Sequence, residues 1–339
     1  RSGLLVGDII IGVNESSTEG WSTGNVSDSI RGKVGTTVNV TIARQGLGTP
    51  ITSTLTRDSV HVTAVVADVV GENIGYIALD RVARGSADEV EEALIQLGDT
   101  RGIVLDLRGN PGGYLDESLK IGDLFLQRGK RLASAESRAP GTSGRNVDES
   151  WNARGPDVIP EKPVVVLVDR FSASASEIIA GALQDHDRAV IIGERTFGKG
   201  VFQNVFRLSE DRHLRLTTGE WFTPLGRSLH RPRNVQGRTL PENPDTFPIV
   251  TTPGGRELNA GGGVFPDLEI PNDTLTSTER NLLSQMAQKQ IPFDLRIEEF
   301  AFDQSEKNKR IETSEPTLHS ADLKLFVDSL IDESQLETL

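Results

Sequence analysis

The chain has 339 residues, of which 36% are apolar and 34 are glycine, with a formal net charge of −13 and no cysteine. This composition fits a folded globular protein of two or three domains and argues against wholesale disorder. The acidic balance argues against a nucleic-acid footprint, which needs Lys and Arg clustered on one face; the missing cysteine excludes disulfides, zinc thiolates and thiol nucleophiles.

Residues 1–59 read as part of a small β-rich module: a strand from Asp8 to Val13, a polar loop, a short helix near Ser27 to Arg31, and an alternating strand from Thr37 to Ala43. The first residues carry no basic flank or apolar stretch of a signal peptide and read as mid-domain. Gly3-Leu4-Leu5-Val6-Gly7-Asp8-Ile9-Ile10 followed by Gly35-Thr36-Thr37-Val38-Asn39-Val40 resembles the second half of a PDZ domain. Such domains bind peptide C-termini by strand addition and hold the carboxylate in a backbone nest. The loop that does so precedes the part seen here, so an incomplete peptide groove is expected.

From residue 60 to 272 strands alternate with helices: strand Ile74 to Leu79, helix Ser86 to Leu97, strand Gly102 to Leu107, helix Tyr114 to Leu126, strand Pro163 to Val168, helix Ala175 to Leu183, strand Ala189 to Ile192. Continuous apolar strands such as Val164 to Val168 suit a sheet covered by helices, so an α/β core is expected. Such runs are far shorter than the roughly 20 residues of a membrane-spanning helix. Residues 134–160, rich in Gly, Pro, Ser, Arg and Asp, read as an exposed loop or a flexible hairpin, and residues 229–262 have the same character. Residues 273–339 read as a charged, partly disordered extension with helical patches at Thr276 to Gln288 and Ala321 to Leu330 around a polar segment, Asp303 to Pro316.

Three segments at expected strand ends carry chemistry. The turn Leu105-Asp106-Leu107-Arg108-Gly109-Asn110-Pro111-Gly112-Gly113 can aim backbone N–H groups at an anion, although a lone Pro-Gly-Gly is usually a plain turn. Ser172-Ala173-Ser174-Ala175-Ser176-Glu177 opens an apolar helix. Taken singly, Ser174 with Glu177 is a capping box; a serine there also suits nucleophilic attack, with the helix N-terminus facing developing negative charge. Thr196-Phe197-Gly198-Lys199-Gly200-Val201-Phe202-Gln203 sets one lysine between glycines and apolar neighbours. An arbitrary lysine is a solvated charge, and it serves as a base near neutral pH only where burial or cationic neighbours favour its neutral form.

Together these segments resemble the carboxyl-terminal processing, or tail-specific, proteases, Ser/Lys peptidases with an attached PDZ domain. The resemblance extends through Gly75-Tyr76-Ile77, Leu214-Arg215-Leu216-Thr217-Thr218, Thr223-Pro224-Leu225-Gly226-Arg227-Ser228 and Gly262-Gly263-Val264-Phe265-Pro266-Asp267. It implies a fold of the ClpP/crotonase-like superfamily, with Ser174 as nucleophile, Lys199 as its base, Gln203 orienting the lysine, and the N–H groups of Gly113 and Ala175 as oxyanion donors. It implies no cofactor and no metal, protein or peptide substrates taken by their C-terminal tails, an extracytoplasmic place in the cell envelope, and compatibility with homo-oligomers. His61, His186, His213, His230 and His319 then need no catalytic role. The chain departs from the family in its shortened PDZ module, in the long connection 229–261 and in its C-terminal extension. Competing readings are a catalytically inactive PDZ-containing peptide-binding scaffold and an acyl-CoA enzyme of the crotonase type; the complete Ser/Lys/Gln set speaks against both.

Overall fold

Short apolar runs bounded by Gly and polar residues become the strands of a mixed α/β protein. The computed structural model describes residues 3–5, 7–44, 47–59, 62–138, 146–209, 212–271, 276–289, 293–307, 321 and 323–328. The chain divides into two compact units, residues 1–61 with 273–339, and residues 62–272.

In the first unit, β1 (Ile9–Val13), β2 (Ser16–Ser17), α1 (Thr23–Ile30), β3 (Thr37–Ala43) and β4 (Ile51–Thr56) follow one another. The strands form an antiparallel sheet in the order β2-β1-β3-β4. Alternation puts Val38, Val40 and Ile42 on one face, where they make a small core with Val13. α1 starts earlier than expected because Ser22 caps it, its hydroxyl accepting from Asn25 N–H at 3.2 Å. Arg44 donates to both oxygens of Asp8, at 2.7 and 2.8 Å, and lowers that carboxyl to about 2.

The second unit contains β5 (Val65–Val70), β6 (Ile74–Leu79), α2 (Ser86–Gln96), β7 (Ile103–Asp106), α3 (Leu115–Phe125), β8 (Arg131–Arg138), β9 (Asn146–Asn152), β10 (Val164–Val168), α4 (Ala175–Asp185), β11 (Val190–Gly193), β12 (Val201–Ser209), β13 (Arg212–Phe222), β14 (Ile249–Thr251), β15 (Glu257–Asn259) and β16 (Leu268–Glu269). One sheet runs β16-β11-β10-β7-β6-β5, parallel throughout except for β5 on β6. Its core includes Ile77, Leu105, Val166 and Ile191. All eleven residues of α4 are buried, Glu177, Gln184 and Asp185 among them. Because β6, β7, β10 and β11 are parallel, the loops after them gather at one sheet end.

A second, antiparallel sheet runs β12-β13-β8-β9. Of the two readings of 134–160, exposed loop or flexible hairpin, the described residues form the hairpin, and its first strand also pairs with β13; residues 139–145 lie outside the described residues. The β12–β13 hairpin was not expected. Val205, Phe206, Leu208, Leu214 and Leu216 on it are all exposed, so it lacks the half-buried alternation that marks a strand. The stretch 229–262 holds a single 3₁₀ turn, Pro244–Thr246, and the β14–β15 hairpin between irregular segments.

The first unit also contains α5 (Ser277–Gln288) and α6 (Phe293–Lys307). Thr276 and Glu279 cap α5 reciprocally, Thr276 N–H donating to Glu279 Oε2 at 2.6 Å and Glu279 N–H to Thr276 Oγ1 at 3.2 Å. α6 runs on through Asp303 to Lys307, the expected start of a polar segment between the helical patches; residues 308–316 lie outside the described residues. Of the expected helix at 321–330, residues 321 and 323–328 are helical and the others are not described. Among the described residues no helix is long and apolar enough to cross a membrane.

Candidate active site

The ends of β6, β7 and β10 are stitched together by Asn110. Its carbonyl accepts from Ala173 N–H and from Ser176 Oγ, both at 3.0 Å; its Oδ1 accepts from Gly112 N–H at 2.9 Å; its Nδ2 donates to the Leu79 carbonyl at 2.8 Å. Asp169 adds a second set, with Oδ1 accepting from the N–H groups of Gly109, Phe171 and Ser172 at 2.9–3.0 Å. Ser172 Oγ donates to the Leu107 carbonyl at 2.7 Å. The serines on either side of Ser174 are thus committed to holding the loop.

Ser174 is half-buried and sits just before α4 with φ 57° and ψ −114°. A positive φ at a non-glycine residue is a strained conformation that the surroundings must enforce. Part of that enforcement is Gly112: a Cβ there would lie 2.5 Å from the Ala173 carbonyl oxygen, 2.8 Å from Ala175 N and 2.9 Å from Ser174 Cβ. Only a residue without a side chain allows the 108–113 turn to lie directly against Ser174.

Glu177 is fully buried at the third position of α4 and accepts four hydrogen bonds. Oε1 takes Thr196 Oγ1 at 2.6 Å and Gly198 N–H at 2.7 Å; Oε2 takes Ser174 N–H at 2.7 Å and Lys199 N–H at 2.8 Å. Burial pushes this carboxyl above its usual range, against the four donors, which favour the carboxylate. One side chain thereby joins the serine segment to the Gly-Lys-Gly segment.

The expected oxyanion donors lie on the two sides of the Gly112–Ser174 contact. Val82 N–H donates to the Gly112 carbonyl at 3.0 Å and Tyr114 N–H to the Val82 carbonyl at 2.9 Å. That parallel bridge leaves Gly113 N–H pointing away from Val82. A side chain at Gly113 would overlap the Val82 carbonyl. Ala175 is buried at the first position of α4, where an N–H has no partner within the helix.

Lys199 is exposed in the loop between β11 and β12. Its N–H is held by Glu177 and its carbonyl by Trp221 Nε1 at 3.1 Å, whereas its amine makes no hydrogen bond to Ser174. Gln203, exposed on β12, donates from Nε2 to Thr217 Oγ1 at 3.4 Å and is not bonded to Lys199. The fold brings together Ser174, Ala175, the Gly112-Gly113 turn and the Lys199 main chain. The Lys199 and Gln203 side chains make no hydrogen bond to Ser174.

Sequence reasoning took Glu177 for a cap and gave Asn110 no role. The signal for Glu177 was a charged residue at the start of a largely apolar helix, beside Ile178 and Ile179, where a buried carboxyl needs partners. Asp106 was passed over as well. It accepts Tyr76 OH at 2.6 Å and a forked pair from Arg108 at 2.6 and 3.0 Å. Burial opposes its charge, yet the Arg108, Tyr76 and main-chain donors prevail and hold its pKa below the ordinary value.

Residues 73–236 match Peptidase family S41. A carboxy-terminal-processing protease of Bartonella bacilliformis is 37% identical over 254 residues, covering 71% of this chain and 56% of that protein. A carboxyl-terminal-processing protease of Synechocystis sp. is 34% identical over 266 residues, 77% and 60% of the two. The Bacillus subtilis carboxy-terminal processing protease CtpA is 32% identical over 247 residues, 72% and 51%. The solved structure of a photosystem II D1 C-terminal processing protease is 26% identical, with a TM-score of 0.47 over 81% of this chain and 66% of that one. The chain contains a Peptidase family S41 domain, from a family of serine-type peptidases. It spans 51% to 60% of the length of the three curated relatives.

Proposed function

We propose that this chain carries the catalytic portion of a serine endopeptidase that cleaves proteins or their C-terminal tails by acyl transfer, with Ser174 as nucleophile and Lys199 as base. The observation that supports it most is the sharing of Glu177 Oε2 by the main chains of Ser174 and Lys199. Their two nitrogens lie no farther apart than those two hydrogen bonds laid end to end. A lysine stem can bridge a gap of that size by rotating about its own bonds.

In this reading the neutral Lys199 amine takes the Ser174 proton as Oγ attacks the scissile carbonyl, and the N–H groups of Gly113 and Ala175 hold the oxyanion. Lys199 returns the proton to the leaving amine, and water activated by the same amine hydrolyses the acyl-enzyme. Gln203 would orient that amine after turning away from Thr217.

The same reading takes residues 1–59 as a partial PDZ domain, 60–272 as a ClpP/crotonase-like protease core and 273–339 as a helical extension, in a protein of the cell envelope. An inactive peptide-binding scaffold is the weaker alternative, because nothing in it calls for a strained serine at a helix start. The test is digestion of casein and of unstructured tailed peptides by the protein, Ser174→Ala and Lys199→Ala, with the products sequenced. Both variants are expected to lose turnover while the wild type makes internal cuts; turnover by Ser174→Ala would end the assignment.

A further inference from the structure

Three arginines crowd beside the Lys199 loop, and Glu242 is the carboxylate bonded to two of them. Glu242 Oε2 accepts from Arg195 Nη2 at 2.8 Å and from Arg231 Nε at 2.9 Å. Arg233 stacks on the Phe197 ring, 3.7 Å from its centroid, and its Nη2 donates to the Phe197 carbonyl at 2.8 Å. Among the described residues Arg233 has no carboxylate partner; its other bond goes to the Gly237 carbonyl at 3.3 Å. The cluster thus keeps an excess of positive charge within a chain whose net charge is −13.

Its position ties it to the reaction centre. Arg231 N–H donates to the Gly198 carbonyl at 2.9 Å, and a side chain at Gly198 would overlap the Arg231 stem. Phe197, on which Arg233 rests, donates its N–H to the Ser172 carbonyl at 3.0 Å. Arg233 is therefore anchored on a residue two positions before Lys199, which is itself bonded two positions before Ser174. Burial first, and then the charge of Arg231, lowers the pKa of both Arg195 and Arg233, against the opposing charge of Glu242 on both and of Glu177 on Arg233. Two of the five donors of the Arg233 guanidinium are taken by carbonyls, leaving others for a carboxylate.

We infer that Arg233, backed by Arg231 and Arg195, forms an anion-accepting subsite beside the reaction centre that selects substrates bearing a carboxylate close to the scissile bond. The inference rests on the peptidase reading above. The carboxylate comes either from an Asp or Glu side chain or from the substrate's own C-terminus, and the guanidinium recognises both by the same paired hydrogen bonds.

The experiment uses a peptide the protein cleaves, resynthesised with Glu or Gln at each position flanking the cut and with an acid or amide C-terminus. At low salt the protein is expected to prefer Glu at one position, or the acid over the amide, by about tenfold in kcat/KM. Arg233→Gln should erase that preference; Arg101→Gln, which removes an exposed charge at the opposite end of β7, should leave it intact. Glu242→Gln, which frees two guanidiniums, should strengthen it and serves if Arg233→Gln fails to fold. Equal cleavage of every pair by the wild type, or an undiminished preference in Arg233→Gln, overturns the subsite while leaving the peptidase reading standing. If the wild type cleaves no peptide, the peptidase reading falls, and fluorescence anisotropy of labelled Glu and Gln peptides decides the subsite alone. Tighter Glu binding that Arg233→Gln abolishes keeps it, and equal binding ends it.

Discussion

Ser174 and Lys199, 25 positions apart in the chain, hang their main-chain N–H groups on the same oxygen, Oε2 of Glu177, at 2.7 and 2.8 Å. Neither residue can shift its backbone without disturbing a fully buried carboxyl, so the serine and the lysine segments move as one.

Glu177→Ala is expected to destabilise the second unit by about 3–5 kcal/mol, because it leaves four donors unpaired in a dry site. Glu177→Gln should cost less. The folded carboxyl binds its proton more tightly than an exposed Glu, whose pKa is near 4.3, so its contribution is full below that value and is lost as pH rises through the folded pKa. Denaturation midpoints of wild type and Glu177→Gln should converge as pH rises above the ordinary glutamate range. A gap that widens on that rise would contradict the upward shift.

Strain at Ser174 yields a different signature. Ser174→Ala keeps the side chain that makes φ 57° costly and should melt close to the wild type, whereas Ser174→Gly relieves it and should gain about 1 kcal/mol. Both should be inactive. Calorimetry on the pair checks this, and a glycine variant no more stable than the alanine one would show that the backbone is at ease there.

Gly112→Ala places a methyl group 2.5 Å from the Ala173 carbonyl oxygen and 2.9 Å from Ser174 Cβ, in a conformation with φ 91°. A loss of more than about 2 kcal/mol is expected, and a fall of about a hundredfold in turnover as Ser174 is displaced. Proteolysis rates at a temperature where the variant is still folded separate the two effects. Unchanged kcat would mean that the turn does not set the serine's position.

In the first unit, Asp8 titrates at about 2 because of its bonds to Arg44, below the roughly 3.9 of a free aspartate. A depressed acid contributes stability that is present above the unfolded pKa and lost as pH falls through the folded one. The melting temperature of Asp8→Asn should lie below that of the wild type at pH 6, and the gap should close near pH 2. Carboxyl NMR of Asp8 reads the pKa directly, and an ordinary midpoint would break the argument.

The order β6, α2, β7, α3, β10, α4, β11 was legible because its signals are local: apolar runs of strand length, helical periodicity and Gly-rich stops. Ser174, Lys199 and Gly113 stood out through short motifs for the same reason, and β1, β3 and α4 follow from their own alternation or largely apolar content. What the chain alone left open was every relation that depends on residues far apart in sequence. The exposed β12–β13 hairpin hides its strands because no face is buried. Asn110 looks like an ordinary turn residue until β6 and β10 end beside it. Glu177 reads as a cap until folding brings Thr196, Gly198 and Lys199 to its carboxyl, and three arginines become a cluster only when the connection after β13 returns to Phe197. Local propensity names the residues; the partners that desolvate, neutralise and orient them are supplied by long-range packing, which no window of neighbouring residues contains.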